Sequence, residues 1–357
     1  MIRRVIFILW FIPVVAMGQY HITGKVIDSA SKKPMGDASV FLNNASVGTK
    51  TNSDGTFNIP SVHSGYYDLV VSVIGYKTFR QTISVNSDVS MPEIRIAEKN
   101  IALKEVRIGP DKDWDRNYAL FKEDFLGKTE AAKECKILNP EVISLHFDED
   151  KFILSASSYD FIIIENRALG YRVKYLLSEF TRAYSNALFN KLYYEGSSNF
   201  EDLKGSKRDI ERWKKARIQA YLESDAHFLR SIIADRVKDE GFVVRRLIRD
   251  TTSSKSSVGL FKPRAQTLVT TPLAINEYAK RTNQTGQYAI EFKDCLAITT
   301  TGKVNFKTDA VLSFLEPYAF FDNNGVVMNP RGVILEGTWG DKRIADMLPV
   351  DYEPPVQ

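Results

Sequence analysis

Cysteine is nearly missing from this 357-residue chain: Cys135 and Cys295 are the only two, 160 positions apart. That scarcity excludes a disulfide-stapled scaffold and a thiolate metal cage. Two alternatives remain, a Cys135 to Cys295 bridge or two free thiols, because sequence alone does not place their Cα atoms within bridging distance. An excess of charge of one sign is missing too. The chain has 48 Lys and Arg against 44 Asp and Glu, and 46 basic residues remain once Arg3 and Arg4 are set aside. No concentrated basic face recommends nucleic acid as a partner. Also absent are the GxSxG elbow, HExxH, the P-loop and GxGxxG, which removes the common hydrolase and nucleotide signatures.

What is present begins with MIRRVIFILWFIPVVAMGQY, two arginines followed by an apolar run from Val5 to Ala16 and small residues at Ala16 and Gly18. This pattern predicts an export signal over residues 1–18, cleaved near Gly18, with Gln19 first in the mature chain. A retained anchor is disfavoured because a spanning helix needs about twenty apolar residues. No cysteine near the cleavage point offers a site for acylation. The expected location is exported, periplasmic or associated with the outer membrane, with no transmembrane segment in the mature chain. A hydrophobic share of 44% is ordinary for a globular protein, and the length predicts about two domains.

From Tyr20 to Ile96 short apolar stretches alternate with turns. In YYDLVVSVIGYKTFRQTISV, Tyr67, Leu69, Val71 and Val73 recur at period two, as a half-buried strand requires. The stretch TNSDGTFNIP, Thr51 to Pro60, raises two readings. Laid on the calcium-loop pattern, Lys50 stands at the first ligand, Asn52 and Asp54 at the third and fifth, and Ser61 where the bidentate glutamate belongs. Two carboxylates are thereby lost. The turn reading lacks nothing: Asp54-Gly55 suits a two-residue hairpin and Gly75 marks a second turn.

The series ITGKVID, KKPMGDASVFL, TNSDGTFNI and YDLVVSVIGYKTF resembles the carboxypeptidase regulatory-like module, a transthyretin-like β-sandwich, motif for motif over about 75 residues. The resemblance implies an all-β sandwich over residues 19–97. Residues 98–112, which include NIALKEVRIGP, read as a linker or docking strand. Beyond them the period changes. Trp114, Tyr118, Phe121 and Phe125 make one helical stripe closed by Gly127. ISLHF and FILSA flank DEDK as a hairpin, DFIIIEN and LGYRVKYLLSEF read as strands, and Lys207 to Leu222 and Ser224 to Val237 read as helices, the second capped by Ser224. Residues 113–357 are therefore expected to be α+β. CKILNPEVI, IIIENRALGYRVKY, AHFLRSIIADRVKDEGF and RIADMLPVDYEP resemble the domain that follows the regulatory-like module in many exported bacterial proteins, for which no reaction is implied.

A metallocarboxypeptidase would bind zinc through HxxE and a later histidine. His146 and Glu149 supply that spacing and His227 follows 81 residues on. Three residues apart on a strand point to opposite faces, however, so His146 and Glu149 share an ion only across a turn. Ser29 to Lys32 spells SxxK inside a polar turn. The acid pairs Asp148 with Asp150 and Glu201 with Asp202 fall in loops. The basic helix Lys204 to Gln219 carries only the narrow stripe of Ile210, Trp213 and Ala220, which favours a solvated outer face over a membrane contact. No catalytic residue and no cofactor are expected. The leading expectation is a non-catalytic envelope protein that binds a protein, peptide or glycan. The alternatives are a metallohydrolase acting on peptides or cell wall, and an accessory component of a TonB-dependent uptake system. The transporter itself is excluded, since about 245 residues mixed with helices cannot build a barrel of roughly 22 strands.

Overall fold

A computed structural model describes residues 19–99, 113–184, 192–249 and 266–355. The predicted export signal and the segment Asn100 to Pro110 lie outside the described residues.

The first seven strands are β1 (Tyr20–Asp28), β2 (Ser39–Leu42), β3 (Gly48–Lys50), β4 (Thr56–Val62), β5 (Gly65–Ser72), β6 (Phe79–Val85) and β7 (Val89–Ile96). They form a three-stranded sheet, β4-β1-β7, and a four-stranded sheet, β3-β2-β5-β6. Alternation decides what lies between them: Ile22 and Val26 of β1, Val40 and Leu42 of β2, Phe57 and Ile59 of β4, and Tyr67, Leu69 and Val71 of β5 fill one apolar cluster.

The turn at Asp54-Gly55 joins these two sheets. β3 pairs with β2 while β4 pairs with β1, so the flanking strands diverge and the two-residue hairpin expected from the sequence is not formed. The backbone N–H of Gly55 donates to Asn52 O at 2.9 Å, and that of Asn52 to Thr56 O at 2.8 Å. Asp54 Oδ1 accepts from the Thr56 N–H at 3.0 Å and hydroxyl at 2.7 Å. Only Gly55 needs a left-handed backbone, at φ +80, and a Cβ there would lie 2.5 Å from Val26 O. The corner thus requires glycine twice over, for torsion and for space.

The region after Asp113 is mostly β and buries its apolar residues in two further clusters. The first surrounds a six-stranded sheet made of β8 (Cys135–Ile137), β9 (Ile143–Asp148), β10 (Ile153–Ser158), β11 (Ile162–Asn166), β12 (Tyr171–Ala183) and β13 (Leu192–Asp202). β12 is the axis, pairing with β11 through its first half, with β10 through its second, and with β13 along its length. Helix α1 (Trp114–Leu126) lays Phe121 and Phe125 on this sheet, with ring centroids 4.9 Å from Phe180 and 5.2 Å from Tyr175 respectively. Two more helices precede the next sheet: α2 (Glu130–Lys133) and α3 (Lys207–Leu222). In α3 a capping box links Ser206 and Asp209, and Trp213 alone is buried. Trp213 presses on Gly170, where an added Cβ would meet its ring at 2.2 Å, and its Nε1–H donates to Arg167 O at 2.7 Å. The rest of the basic face stays outward, Ile210 included, at 42% exposure.

Helix α4 (Asp225–Ile233) enters the third cluster, built on β14 (Phe242–Arg249), β15 (Gln266–Pro272), β16 (Ala279–Arg281), β17 (Gln287–Ile290), β18 (Cys295–Thr300), β19 (Asp309–Phe314), β20 (Ala319–Asp322) and β21 (Val333–Gly337). These strands make a five-stranded sheet, β15-β14-β18-β19-β21, and a three-stranded one, β16-β17-β20. Ser224 caps α4 by accepting from the His227 N–H at 3.0 Å. The helix stops at Ile233, short of Val237, because Asp235 takes a positive φ of 56°.

Cys135 sits in β8 and Cys295 in β18, two separate sheets, and both are free thiols. The bridge left open by the sequence is therefore not formed. Cys135 belongs to the cluster around the six-stranded sheet, where burial pushes its thiol up to about 12, while Cys295 is half-buried on its strand and its Sγ accepts from Ser313 Oγ at 3.3 Å.

The sandwich meets the six-stranded sheet through backbone groups. The N–H of Asn44, at φ +58, donates to Ser198 O at 2.7 Å, and the N–H of Phe200 donates to Ala45 O at 3.0 Å. The Val350 N–H donates to Asn44 O at 2.7 Å, and Ser46 Oγ to Asp351 Oδ2 at 2.6 Å. The turn after β2 thereby caps part of the β13 edge, which would otherwise stand open.

Candidate binding cleft

Where the three apolar clusters approach one another a cleft of about 660 Å3 opens. Two short sequence repeats line it. Tyr66-Tyr67-Asp68 lies on β5 and Tyr193-Tyr194-Glu195 on β13, and the segment from Val326 to Arg331 closes the third side. Strand alternation sets the division of labour. Tyr67 turns into the sandwich core and is 4% exposed, while Tyr66 and Tyr193 stay half-buried on the wall.

A chain of charge-assisted hydrogen bonds ties the walls together. Tyr193 donates its hydroxyl hydrogen to Glu195 Oε2. Arg331 donates from Nε to the Tyr193 oxygen at 2.9 Å and from Nη2 to Glu195 Oε2 at 3.0 Å, with its guanidinium 4.9 Å from the Tyr193 ring centroid. From the sandwich side, Arg80 lies 3.5 Å from Glu195 Oε1 and donates to Gly196 O at 2.6 Å and Ser197 Oγ at 2.7 Å. Asp68 lies 3.9 Å from Arg80 and accepts from the Thr82 hydroxyl at 2.7 Å. Hydrogen bonds from Tyr193 and Arg331 hold the Glu195 carboxyl below its usual range. Burial pushes the Tyr67 hydroxyl up to about 12, so both groups keep one protonation state across physiological pH. The wall offers amphipathic rings and fixed donors and acceptors whose charges largely cancel.

The residues singled out in the sequence fall elsewhere. His146 is exposed on β9. Glu149 stands in the following turn, bound by Arg116 at 2.8 Å. His227 is buried in the third cluster, with Nδ1 3.0 Å from Leu222 O and Nε2 3.3 Å from Glu240. The three are not brought together, and among the described residues no group of three His, Cys, Asp or Glu is arranged for a metal. The SxxK pair meets only through backbone, Lys32 Nζ donating to Ser29 O at 2.7 Å. Asp148 accepts from Lys151, while Lys174 and Arg217 take Glu201 and Asp202. Gly75 turns at φ +85 with open space around it. A second cavity, about 670 Å3 between Arg172 and Arg212, is lined by both signs of charge. Several of those charges are already paired, Glu165 with Arg167 and Arg212 with Glu134.

Sequence reasoning missed Arg80, Tyr193, Glu195 and Arg331. The repeated Tyr-Tyr-acid triplet was the available signal, yet nothing local says that β5 and β13, some 127 residues apart, face the same space.

Comparison with known proteins supplies one family. Residues 22–108 match the CarboxypepD_reg-like domain, eleven residues beyond the boundary expected at 97. No curated protein matches the chain. Among solved structures, a cohesin–X-dockerin complex from Acetivibrio cellulolyticus is 19% identical over 22% of this chain and 56% of that one, with a TM-score of 0.20. The group B streptococcus pilus 2b backbone protein is 20% identical over 22% and 41%, at 0.20. A DUF3823 family protein from Bacteroides ovatus is 10% identical over 53% and 83%, at 0.19. This chain spans less than two thirds of the first two, and scores this low carry no inference about function.

Proposed function

We propose that this chain, which carries a CarboxypepD_reg-like domain over residues 22–108, is a non-catalytic exported envelope protein that binds a glycan in the cleft between its sheets. The same proposal includes a transthyretin-like strand plan for the sandwich, a division of the chain at residues 98–112, and export through the apolar segment Val5 to Ala16. Among the described residues no helix is long and apolar enough to cross a membrane.

The observation that carries the binding role is the joining of two Tyr-Tyr-acid triplets and two arginines around one cleft of about 660 Å3. Half-buried tyrosines present a flat apolar face with a polar rim, and the bonded Arg80, Glu195 and Arg331 side chains present hydrogen-bonding edges with little net charge. A hydroxyl-rich polymer matches that mixture better than a strongly charged peptide. The named side chains include no nucleophile next to a base, so binding is the chemistry they support.

A carbohydrate array probed with the purified protein tests this. The parent is expected to retain a defined set of glycans, and Tyr193→Ala and Arg331→Ala to weaken them at least ten-fold. Tyr193→Phe, which keeps the ring, should lose less. An empty array, or equal retention by correctly folded variants, would overturn the reading.

A further inference from the structure

The wall that closes the third side of the cleft is also part of a sheet. Val327 bridges Phe321 of β20 in antiparallel register, and the Met328 N–H donates to Phe320 O at 2.7 Å. The segment therefore runs along the edge of β20 that β17 leaves free in the order β16-β17-β20. Residues opposite one another on neighbouring strands share a face. Phe321 and Val327 turn into the third apolar cluster, so Phe320 and Met328 stand on the outward face. Lys280 of β16, Ala289 of β17 and Phe320 pair in turn across the same sheet, and Met328 completes the row.

That row is amphipathic. Met328 is 37% exposed and Phe320 is half-buried. Tyr318, also half-buried, has its ring centroid 5.6 Å from that of Phe320, with 26° between the planes. Lys280 Nζ lies 4.7 Å from the Tyr318 ring centroid and 2.6 Å from Glu291 Oε2, so its charge is balanced where it stands. Gln287 brings an amide to the row, its Nε2 lying 3.7 Å from Met328 Sδ. Asn329 pins the wall to the strand: its Oδ1 accepts from the Phe320 N–H and its Nδ2 donates to Tyr318 O, both at 2.8 Å. Met328, Asn329 and Arg331 line the cleft itself. The outward row thus continues from the cleft wall without a break in the chain.

We infer that Phe320, Met328 and Tyr318 form a second sugar subsite, and that the ligand is a linear, uncharged polysaccharide leaving the cleft over Met328. This rests on the glycan reading above and names its ligand class. The row repeats the chemistry of the tyrosine wall, with aromatic side chains beside a tyrosine hydroxyl, an amide and a neutralised ion pair. Met328 adds an apolar surface that adapts to uneven sugar faces. The Asn329 bonds hold both subsites in fixed relation, so a chain spanning them orders little protein on binding. A protein partner would need roughly 800 Å2 on this side, and a row of three side chains bordered by an ion pair is small beside that.

Calorimetric titration of the full chain with trimers and hexamers of cello-, xylo-, manno- and malto-oligosaccharides, and with an oligogalacturonate hexamer, is the test. In the series that binds, the hexamer is expected to bind at least ten-fold tighter than the trimer. Phe320→Ala and Tyr318→Ala should reduce that ratio to the few-fold gain that extra binding registers alone give, and Phe320→Trp should keep it. Tyr193→Ala should weaken trimer and hexamer together and leave the ratio standing. A ratio near one in the parent, or a ten-fold ratio that survives in correctly folded Phe320→Ala and Tyr318→Ala, would sink the second subsite and leave the cleft reading intact. Binding confined to oligogalacturonate would overturn the uncharged assignment. Failure of every series to bind, or trimer affinity untouched by Tyr193→Ala, would sink the cleft reading and this inference with it.

Discussion

The sandwich and the region after Asp113 are held together by different means. In the sandwich, corners are local: Asn52, Asp54, Gly55 and Thr56 satisfy one another within five residues. In the later region the decisive bonds are long-range, as when Arg230 reaches carbonyls 94 to 122 positions away. A local corner is repeated wherever its four residues recur, whereas a long-range bond exists only if the whole chain folds. Local corners of this kind are what a short sequence motif can encode, while the cleft forms only where the sandwich residues Tyr66 and Arg80 meet Tyr193, Glu195 and Arg331 from the later region.

Four substitutions would break or sharpen this contrast. The largest effect is expected for Phe125→Ala. Phe125 is fully buried, and its ring lies 5.2 Å from that of Tyr175 and 5.7 Å from that of Tyr194. Truncation should cost about 3–5 kcal/mol in urea unfolding and loosen the Tyr194 wall. A loss below about 1 kcal/mol would show that the later region does not depend on its distant packing.

Asp322 gives the next effect. It is 2% exposed and holds the cleft-side loop by accepting from the N–H groups of Asn324 at 3.0 Å and Val326 at 2.9 Å. Burial pushes its carboxyl up to about 6 from 3.8. The folded state therefore binds this proton more tightly than the unfolded state. The resulting stabilisation is fully present below about pH 4 and is lost as pH rises through about 6, an amount on the order of 3 kcal/mol. Comparing unfolding at pH 4.5 and 7.5 should show that decline in the parent and a flatter profile in Asp322→Asn. Parallel profiles would remove Asp322 as the source.

Gly55→Val should cost about 1–3 kcal/mol, since it imposes both a left-handed torsion and a close contact with Val26 O. No calcium response is expected in parent or variant. A melting temperature that rises with calcium would restore the ion-loop reading of Asp54. The smallest effect belongs to His146→Ala: an exposed side chain away from the cleft should change stability by less than about 0.5 kcal/mol. Stoichiometric zinc in the parent that disappears in this variant would revive the metallohydrolase alternative.

Much of the fold is legible without coordinates. Period two places Tyr67, Leu69 and Val71 inside the sandwich, and the stripe ending at Phe125 gives α1, closed by Gly127 at φ +100. The span of α3, the Ser224 cap of α4 and the hairpin of β9 and β10 follow from equally short signals, whereas sequence reasoning missed the Ser206 and Asp209 capping box of α3. The candidate site is nearly illegible. His146 and Glu149 drew attention because their spacing matches a known chemistry, yet strand geometry and the Arg116 contact separate them. Arg80 and Arg331 sit among ordinary surface-like residues and gain meaning only from what folds against them.

By itself, the sequence determined the β-sandwich, its glycine corner, the Ser224 cap of α4 and the absence of the common catalytic motifs, because each depends on torsions and periodicities within a few residues. Only the tertiary structure decided that Cys135 and Cys295 stay apart, that two Tyr-Tyr-acid triplets share one cleft, and that Arg80 and Arg331 meet Glu195 from opposite walls. Those outcomes rest on distances between residues far apart in the chain, which no local pattern encodes.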